Sequence, residues 1–594
     1  MEQEGKSSET GSNSGSNSDT SVLDEVTNRF QKISTSGAND AATSPAGQTI
    51  PSSLTFDCLE EIIKNLFDNK PALFSCALVN RSWCRIAIPL LWCRPFEHRM
   101  STRKFSEIIR TYVSLLPESS RRLLNTRVIR LPSKPLLFNY PKYLRSFDVS
   151  NFQDGLYFLL CSSVQLNLNT VQKYVQVLGN FLFGQTEGLK LLKIDDPLNS
   201  HILIDISEFE DVYMKLRFLE SIEFNLNRMN IKNESKRFQK FCNTLSKHAY
   251  YLKQIAIDYN LQIKCTEQLY SISKLIEAQR NLESVTTMEF WVFNNKKIIY
   301  DILKTQSHSL RYLCINGVAN VDKLLELIKV CKELGVLEIF GFQDFSPRFT
   351  TDSSSSNCSD KADINISHSN DNHDNNSDVS PKIHQIKLGR LSCNDVFSSV
   401  STSYSPTMSL IIRMSNVYLQ ELLLSDLTME LMECIQQQCP NLKKFCASMI
   451  FSLCPSFFPV LKGMKKLEYL YLQTRHDEMF YHRKRLQISD NKDEIKEFVK
   501  SLPLTLLHLE LDFKINADGL VILFDECNVG LCTFVLHNYF LDEKVVRSVV
   551  KYARRVGTLR KFRYGRTWNE GTLWNIMGDV MNEAREVIGN VGPI

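Results

Sequence analysis

One short pattern constrains this chain of 594 residues more than any other feature of its sequence. An apolar residue is followed by two others, an apolar residue, one other and a final apolar residue, as in LEYLYL at 467. The pattern starts at residues 144, 189, 219, 252, 282, 310, 334, 383, 419, 442, 467, 506, 531 and 559, and it is imperfect in its last position at 282 and 442. Since 43% of the residues are hydrophobic and about a tenth are Leu, chance alone would supply about eleven matches that begin with Leu. The count therefore decides nothing, and the spacing is the informative quantity.

The intervals between successive starts are regular over three stretches of the chain. They are 33, 30, 28 and 24 residues from 219 to 334, 23 and 25 from 419 to 467, and 25 and 28 from 506 to 559. Helix-like segments lie between the starts, such as VDKLLELIKVCKEL from 321 and TMELMECIQQQCPNL from 428. A strand followed by a helix with a period of about 20–29 residues is typical of leucine-rich repeats. The sequence therefore predicts an array of such repeats.

Three intervals are too long for one repeat. The interval from 334 to 383 contains the polar, Ser-, Asn- and Asp-rich segment 346–382, which predicts a disordered insert. The intervals 144–189 and 467–506 predict either a degenerate repeat or a helical insertion. After residue 566, TLWNIMGDVMNEAREVI predicts an amphipathic helix that closes the end of the array.

Ahead of the array, residues 50–96 carry three sets of apolar residues at helical spacing. They are Leu59, Ile62, Ile63 and Leu66; Leu73, Cys76, Ala77 and Leu78; and Trp83, Ile86, Ala87, Leu90 and Leu91. Asp57 can cap the first helix, Pro71 suits the first turn of the second, and Pro89 predicts a kink or restart in the third. A unit under about 50 residues buries too little surface to hide its large apolar side chains. We expect a neighbouring domain or another protein to cover the remainder.

The run LTFDCLEEI, then LFSCALVNRSWC and a closing PLLW, resembles the F-box. The matching positions are Leu54, Asp57, Leu59, Ile62, Leu66, Leu73, Val79, Trp83 and Trp92, and Thr55 departs from the Pro that is usual after the leading Leu. The resemblance implies binding to the Skp-type adaptor of an SCF ubiquitin ligase and, through it, to a cullin. The residues expected to face the adaptor are Leu54, Leu59, Ile62, Leu66, Leu78, Val79 and Trp83. The CPNL step before 442 likewise resembles the cysteine-containing leucine-rich repeats of F-box proteins.

These patterns predict an α/β fold, a three-helix F-box followed by a leucine-rich-repeat solenoid with parallel strands inside and helices outside. The expected domains are a disordered tail at 1–49, the F-box at 50–96, a helical linker at 97–140, the array at 141–566 with its insert, and a capping helix at 567–594. Within the linker, apolar residues at helical spacing from Phe105 to Leu116 predict an amphipathic helix that bridges the F-box to the array.

The residues between the apolar positions of each strand are expected to point to the open concave surface, where a protein client would bind. The candidates are Arg311, Tyr312, Tyr469, Tyr471, Arg560, Lys561 and Arg563, because exposed Tyr and Arg are favoured in interfaces. Seven of the sixteen residues from 551 to 566 are basic and none is acidic. This patch suggests an acidic or phosphorylated client segment. The alternative is that these residues only solvate the edge of the repeats, and a nucleic-acid partner is a third possibility.

Composition narrows the class of protein further. A formal charge of +4 over this length does not itself indicate a nucleic acid or a membrane. The 17 cysteines have no C-x-x-C pair or zinc spacing, and Cys76, Cys161, Cys314 and Cys446 lie in apolar runs, which favours a reducing compartment, the cytoplasm or nucleus. The first residues are rich in Ser, Gly and Asn, so we expect no secretory signal, and no apolar run of 18 residues is present. His476, Asp477, Glu478 and His482 are expected to lie in a solvated turn rather than to bind a metal.

No Gly-rich phosphate loop, Walker-type Lys or nucleophile elbow is present. We therefore expect no catalysis, cofactor or metal in this chain, which would act as the substrate receptor of an SCF-type ligase. The alternative is a repeat scaffold or protein-interaction module without a role in ubiquitin transfer.

Overall fold

A computed structural model of the chain describes most of the sequence and divides it into two compact units, residues 1–223 and 224–594. The described residues are 55–97, 100–124, 129, 131, 135–161, 168–195, 209, 212–225, 231–258, 266–288, 296–318, 320–342, 385–394, 405–449, 456–474, 492–512, 515–537, 542–565 and 570–593. The predicted tail at 1–49, the insert at 346–382, Leu54 and the turn at His476–His482 therefore lie outside the described residues.

The first unit begins with three short helices, α1 (Phe56–Lys64), α2 (Lys70–Ala77) and α3 (Arg81–Trp92). Each starts at a side chain that accepts a hydrogen bond from a free backbone N–H: Thr55, Asn69 and Asn80. Thr55, rather than the expected Asp57, caps α1, and Asp57 lies in its first turn. Pro71 lies in the first turn of α2 as predicted. Helix α3 does not restart at Pro89 but continues to Trp92.

An aromatic cluster joins these helices to the rest of the first unit. Helix α4 (Thr102–Leu115) is the predicted amphipathic helix, and the short helix α5 (Glu118–Leu123) follows it. The Trp92 ring lies 5.5 Å from Tyr112 of α4 and 4.1 Å from Tyr140, measured between ring centroids. Phe96 packs edge-to-face on Phe147 at 5.8 Å. Part of the apolar surface of the three helices is thus covered by this chain itself, one of the two possibilities expected from the sequence.

Tyr112 offers a stability test, because its ring is fully buried and its hydroxyl has no hydrogen-bond partner among the described residues. Burial raises its pKa, so the phenol stays neutral. We expect Tyr112→Phe to raise the free energy of unfolding by about 1 kcal/mol, since the unmet hydrogen bond is removed. Tyr552→Phe is the matched control, and it should lower the free energy of unfolding. The Tyr552 hydroxyl donates to the Val529 carbonyl and accepts from the Leu531 N–H, at 2.5 and 3.2 Å. Denaturant unfolding measures both, and destabilisation by Tyr112→Phe would contradict the expectation.

The remaining elements of the first unit form the start of the array. They are β1 (Ser146–Asp148), α6 (Val149–Cys161), α7 (Leu168–Gln185), β2 (Leu191–Asp195), α8 (Val212–Leu216) and β3 (Ser221–Asn225), which contains the division between the units. Strands β1 and β2 pair in parallel, with Phe147 opposite Leu192. The long interval 144–189 therefore holds a helical insertion, the helices α6 and α7. This was one of the two alternatives that the sequence left open.

The second unit repeats a strand and a helix. Its strands are β4 (Gln254–Asp258), β5 (Ser284–Met288), β6 (Tyr312–Val318), β7 (Val336–Phe342), β8 (Arg390–Asn394), β9 (Glu421–Leu424), β10 (Lys444–Met449), β11 (Tyr469–Thr474), β12 (His508–Asp512), β13 (Thr533–Leu536), β14 (Lys561–Tyr564) and β15 (Asn590–Pro593). Its helices are α9 (Ile231–His248), α10 (Thr266–Glu277), α11 (Lys296–Leu303), α12 (Val321–Val330), α13 (Ser405–Ser415), α14 (Met429–Gln438), α15 (Phe457–Gly463), α16 (Lys492–Ser501), α17 (Ala517–Glu526), α18 (Glu543–Val556) and α19 (Glu570–Ile588).

Strands β4 to β15 pair in parallel, each with the next along the chain. Side chains alternate, so that Leu470 and Leu472 of β11 are fully buried while Tyr469 and Tyr471 are half-buried on the opposite face. The buried residues meet the helices, as where Phe534 lies 4.9 Å from Phe524 of α17 between ring centroids. The chain is therefore an α/β leucine-rich-repeat solenoid, as predicted. We call the strand face opposite the helices the open face.

Two details of the predicted array are wrong. The repeat assigned to IHQIKL at 383 begins at Leu388, because Leu337 of β7 pairs with Leu391 of β8. The apolar spacing occurs in both registers, and the pattern alone cannot distinguish them. The last strand is β15, not β14, since α19 ends at Ile588 and the chain turns into a further strand. Gly589 makes this turn with φ 88°, a conformation that favours glycine.

Candidate functional site

Large apolar side chains remain exposed on the N-terminal helices. Phe56 and Ile62 of α1 are 53% and 49% exposed, and Val79, between α2 and α3, is 54% exposed. At 100° per residue, Phe56 and Ile62 lie about 60° to either side of Leu59 on the helix. Leu59 is only 8% exposed, so α1 buries the middle of its apolar stripe and leaves both margins in solvent. We call Phe56, Ile62 and Val79 the docking face.

The other residues expected to face the adaptor differ in their surroundings. Leu66, Leu78 and Trp83 are half-buried, while Leu59 belongs to the interior of the bundle together with Ile63 and Leu73. Exposure therefore separates Ile62 and Val79 from Leu59. From the sequence, Leu59 and Ile62 lie on the same apolar side of the helix. The spacing alone could not show which of them is buried and which is exposed. A substitution of Leu59 would test core packing first.

A second candidate surface lies on the open face of β11 to β13. The Tyr469 hydroxyl donates to one oxygen of Glu510 at 2.5 Å, and His537 Nε2 lies 2.5 Å from the other oxygen. Because an ionised carboxylate only accepts, this His537 nitrogen carries the proton. The Tyr471 hydroxyl lies 3.2 Å from Gln473 Oε1 and 3.4 Å from Asp512 Oδ2, and its ring packs edge-to-face on His537 at 6.0 Å. We call Tyr469, Tyr471, Glu510, Asp512 and His537 the tyrosine–carboxylate patch.

Partial burial and the neighbouring carboxylates keep the two tyrosines neutral. Burial, followed by the hydrogen bond to Glu510, raises the pKa of Tyr469, and burial, followed by the charge of Asp512, raises the pKa of Tyr471. Burial also raises the pKa of the adjacent Cys446 thiol to about 11. That thiol is therefore protonated at neutral pH and behaves as an apolar group rather than a nucleophile.

A third cluster on the open face lies on β6 to β9. The Tyr312 hydroxyl donates to Glu338 at 2.7 Å, and Arg390 lies between Glu338 and Glu421, at 3.2 and 3.7 Å. The positive charge of Arg390 is thus matched by two carboxylates. Arg311 precedes β6 and is exposed.

The basic segment 551–566 is largely occupied by contacts within the chain. Arg555 donates to the carbonyls of Phe524, Asp525 and Cys527, all at 2.6 Å, and closes the C-terminal end of α17. Arg554 pairs with Glu583 at 2.7 Å and Lys551 with Asp525 at 3.0 Å. Because β15 follows β14, Arg563 is not on the last strand as expected, and it donates to the Pro593 carbonyl.

Of the three predicted client-binding residues in this segment, only Arg560 and Lys561 are exposed. Sequence reasoning also missed five residues of the open-face clusters: Arg390, Glu421, Glu510, Asp512 and His537. They lie at outward positions of their repeats, but only the register of neighbouring strands shows which side chains they meet. Of these residues, only Glu421 and Glu510 lie between two apolar positions of the repeat pattern, in LQELLL at 419 and LLHLEL at 506. The pattern could therefore have suggested these two alone.

No helix of the described residues combines the length and the apolar character that crossing a bilayer requires. Within the same residues, no three His, Cys, Asp or Glu side chains are grouped as metal ligands. Cys76 and Cys314 pack as buried thiols, as the apolar runs predicted, and Cys446 is half-buried. Cys161 is exposed at the end of α6, contrary to expectation, because its apolar run ends there.

No family model and no curated protein sequence matches the chain. Many solved structures resemble it, and two of them illustrate the likeness at low identity. The Rad7 and Elc1 complex from yeast is 12% identical, with a TM-score of 0.33, over 87% of this chain and 94% of that chain. The leucine-rich-repeat-containing protein LegL7 from Legionella pneumophila is 9% identical, with a TM-score of 0.28, over 59% and 92%. At such TM-scores these likenesses carry no argument, and the fold assignment depends on the strands and helices described above.

Proposed function

We propose that this chain is the substrate-recognition subunit of an SCF-type E3 ubiquitin ligase. The observation that carries the proposal is the docking face. Three large apolar side chains are left in solvent on a helical bundle whose sequence resembles the F-box. Burial of apolar surface is the main favourable term in most protein association. Ile62 and Val79 are half-exposed, so a covering partner would remove more of their apolar surface from water than of the buried residues of the bundle. The expected partner is the Skp-type adaptor and, through it, a cullin.

The mechanism is tethering, and no residue of this chain takes part in the chemistry. The docking face holds the adaptor while the open face of the repeats holds a protein client. Both are then confined near a ubiquitin-loaded enzyme bound elsewhere in the complex. Confinement raises the effective concentration of the client's lysines, which increases the rate of transfer without any new catalytic group.

The docking face is tested with the full chain and a purified Skp-type adaptor. We expect the double variant Ile62→Glu, Val79→Glu to weaken adaptor binding at least about 30-fold, because two charges would be buried without partners. Leu123→Glu is the matched control, an exposed apolar residue of the same unit outside the bundle. Calorimetric titration gives the affinity, and the melting profile confirms that the variants remain folded. Equal binding by wild type and double variant would contradict the proposal.

The competing function is a repeat scaffold that takes no part in ubiquitin transfer. Affinity purification of the tagged chain together with its adaptor separates the two functions. Recovery of a cullin and of ubiquitin-conjugating activity supports the ligase. Adaptor binding without either supports the scaffold.

A further inference from the structure

The open face of the second unit carries a floor of small and apolar side chains between its two polar clusters. In the register of β7 to β12, Glu338 is followed by Ser392, Leu423, Cys446, Tyr471 and Glu510. We call Ser392, Leu423 and Cys446 the floor. Two residues before each floor residue, on the same strand and the same face, lies a long charged side chain: Arg390, Glu421 and Lys444. The floor is therefore a shallow track across the strands, bordered by charged side chains.

Ser392 provides a hydrogen-bonding group on this floor that the chain itself does not use. It is only 7% exposed, and its hydroxyl forms no hydrogen bond with the described residues. By the alternation of β8, it shares the open face with Arg390 and Asn394. The hydroxyl oxygen itself is not fully buried, so a segment bound on the open face can reach it. A backbone amide or carbonyl of a bound segment would satisfy this hydroxyl.

We propose that the floor binds an extended segment of the client and that a Lys or Arg side chain of this segment lies on the tyrosine–carboxylate patch. The inference rests on the client-binding role proposed above and specifies the chemistry of the client. Strands are spaced by about 4.8 Å, so the four steps from β8 to β12 span about 19 Å. About six extended residues cover that distance.

The charge at the β12 end of the floor favours a cation. Glu510 has no ion pair with a Lys or Arg of the described residues, and its partners are the Tyr469 hydroxyl and His537. Each oxygen of a carboxylate has two acceptor positions, so Glu510 can accept further bonds. At the β7 end, by contrast, Arg390 already lies beside Glu338. A basic side chain is therefore favoured at Glu510 rather than at Glu338.

The tyrosine rings favour the same ligand. The ammonium of Lys444 lies 4.9 Å from the centroid of the Tyr469 ring, which shows that a ring on this face accepts a cation. Tyr471 lies between Cys446 and Glu510 in the register, where a client Lys or Arg would contact its ring and a carboxylate together. An acidic or phosphorylated client, as the sequence of 551–566 suggested, finds fewer open cations, since Arg554, Arg555 and Arg563 are bound within the chain.

The experiment screens the full chain against a library of nine-residue synthetic peptides. Each peptide has a fixed central Leu, and every other position is scanned with Arg, Lys, Glu, phosphoserine and Ala. We expect wild type to select Arg or Lys over Glu by at least tenfold at one position. Glu510→Gln and Tyr471→Ala should each reduce that ratio at least fivefold. Ser392→Phe, which fills the floor, should abolish selection at every position.

Glu433→Gln is the matched control, because it makes the same change on the exposed side of α14 and should leave selection intact. Selection of Glu or phosphoserine that is lost with Arg560→Glu, Lys561→Glu overturns the proposal, and so does the absence of any selection. Arg483, Lys484 and Arg485 form a basic run between β11 and α16, outside the described residues. Selection of basic peptides only after these three residues are replaced by Ala also overturns the proposal, since this run would then be the occupant. Adaptor affinity, measured in parallel, separates a failure here from a failure of the ligase proposal.

Discussion

Trp92→Ala is expected to lower the free energy of unfolding of the first unit by about 4 kcal/mol, because the indole joins α3 to the helices that follow. Trp92 is buried against Tyr112 at 5.5 Å and Tyr140 at 4.1 Å. Its removal leaves a cavity between elements that are far apart in sequence and cannot close it by local adjustment. Hydrogen exchange measured on the full chain would report the loss as faster exchange in α3 and α4.

Trp83→Ala is the control within the same helix. Trp83 is half-buried, so its truncation removes less packing and should cost about 1–2 kcal/mol. Exchange in the second unit, for example in β10 to β12, should change with neither variant. If Trp83→Ala destabilised α4 more than Trp92→Ala, the aromatic cluster would not be the junction between α3 and α4. The same cluster implies that residues 55–96 made alone would expose Trp92 and Phe96.

Gly155→Ala is expected to destabilise the first unit by about 3 kcal/mol, at the upper end of the range for overpacking. Helices α4 and α6 approach each other so closely that a Cβ atom on Gly155 would lie 2.7 Å from Phe105 Cβ and 2.9 Å from its backbone carbonyl carbon. A neighbouring side chain could rotate away, but backbone cannot move without shifting all of α4. Denaturant unfolding of the full chain, followed by tryptophan fluorescence, measures the effect.

Gly184→Ala should have the opposite sign, which makes it a sharp control. Gly184 lies in α7 of the same unit, and a Cβ atom added there would have no described atom of another element within 4 Å. Alanine is favoured over glycine in a helix by up to about 1 kcal/mol. We expect stabilisation of about 0.5 kcal/mol or more. Equal effects of the two substitutions would show that helix propensity, and not the approach of α4 to α6, decides both.

The parts of the fold that could be predicted are those in which apolar spacing alone decides burial. Leu470 and Leu472 are buried because they alternate in a strand, and Phe105 and Ile109 because they share one side of a helix. Spacing does not specify register when the same pattern occurs twice, and the strand assigned at 383 lies at Arg390–Asn394 for that reason. Spacing also gave no sign of β15, whose residues NVGP lack the leucine pattern.

The candidate surfaces were predictable to a smaller extent, because they depend on contacts between repeats. Ile62 and Leu59 occupy one apolar stripe, and only the packing of α1 shows which of them reaches solvent. Glu510 meets His537 because β12 and β13 are neighbours, although the two residues are 27 positions apart in the chain. Arg555 was predicted to be part of an open basic patch. Its carbonyl contacts depend on where α17 ends, which charge and composition do not reveal.

The pairing of β4 to β15 in strict chain order has a consequence for how the second unit comes apart. Among the described strands, each is held only by its immediate predecessor and successor, so an end repeat can detach at the cost of a single interface. Amide protection should then form a gradient, lowest in β15 and highest near β10, rather than one value for the whole unit. A pulling force applied at the C-terminus would peel the unit apart repeat by repeat, in a series of small steps.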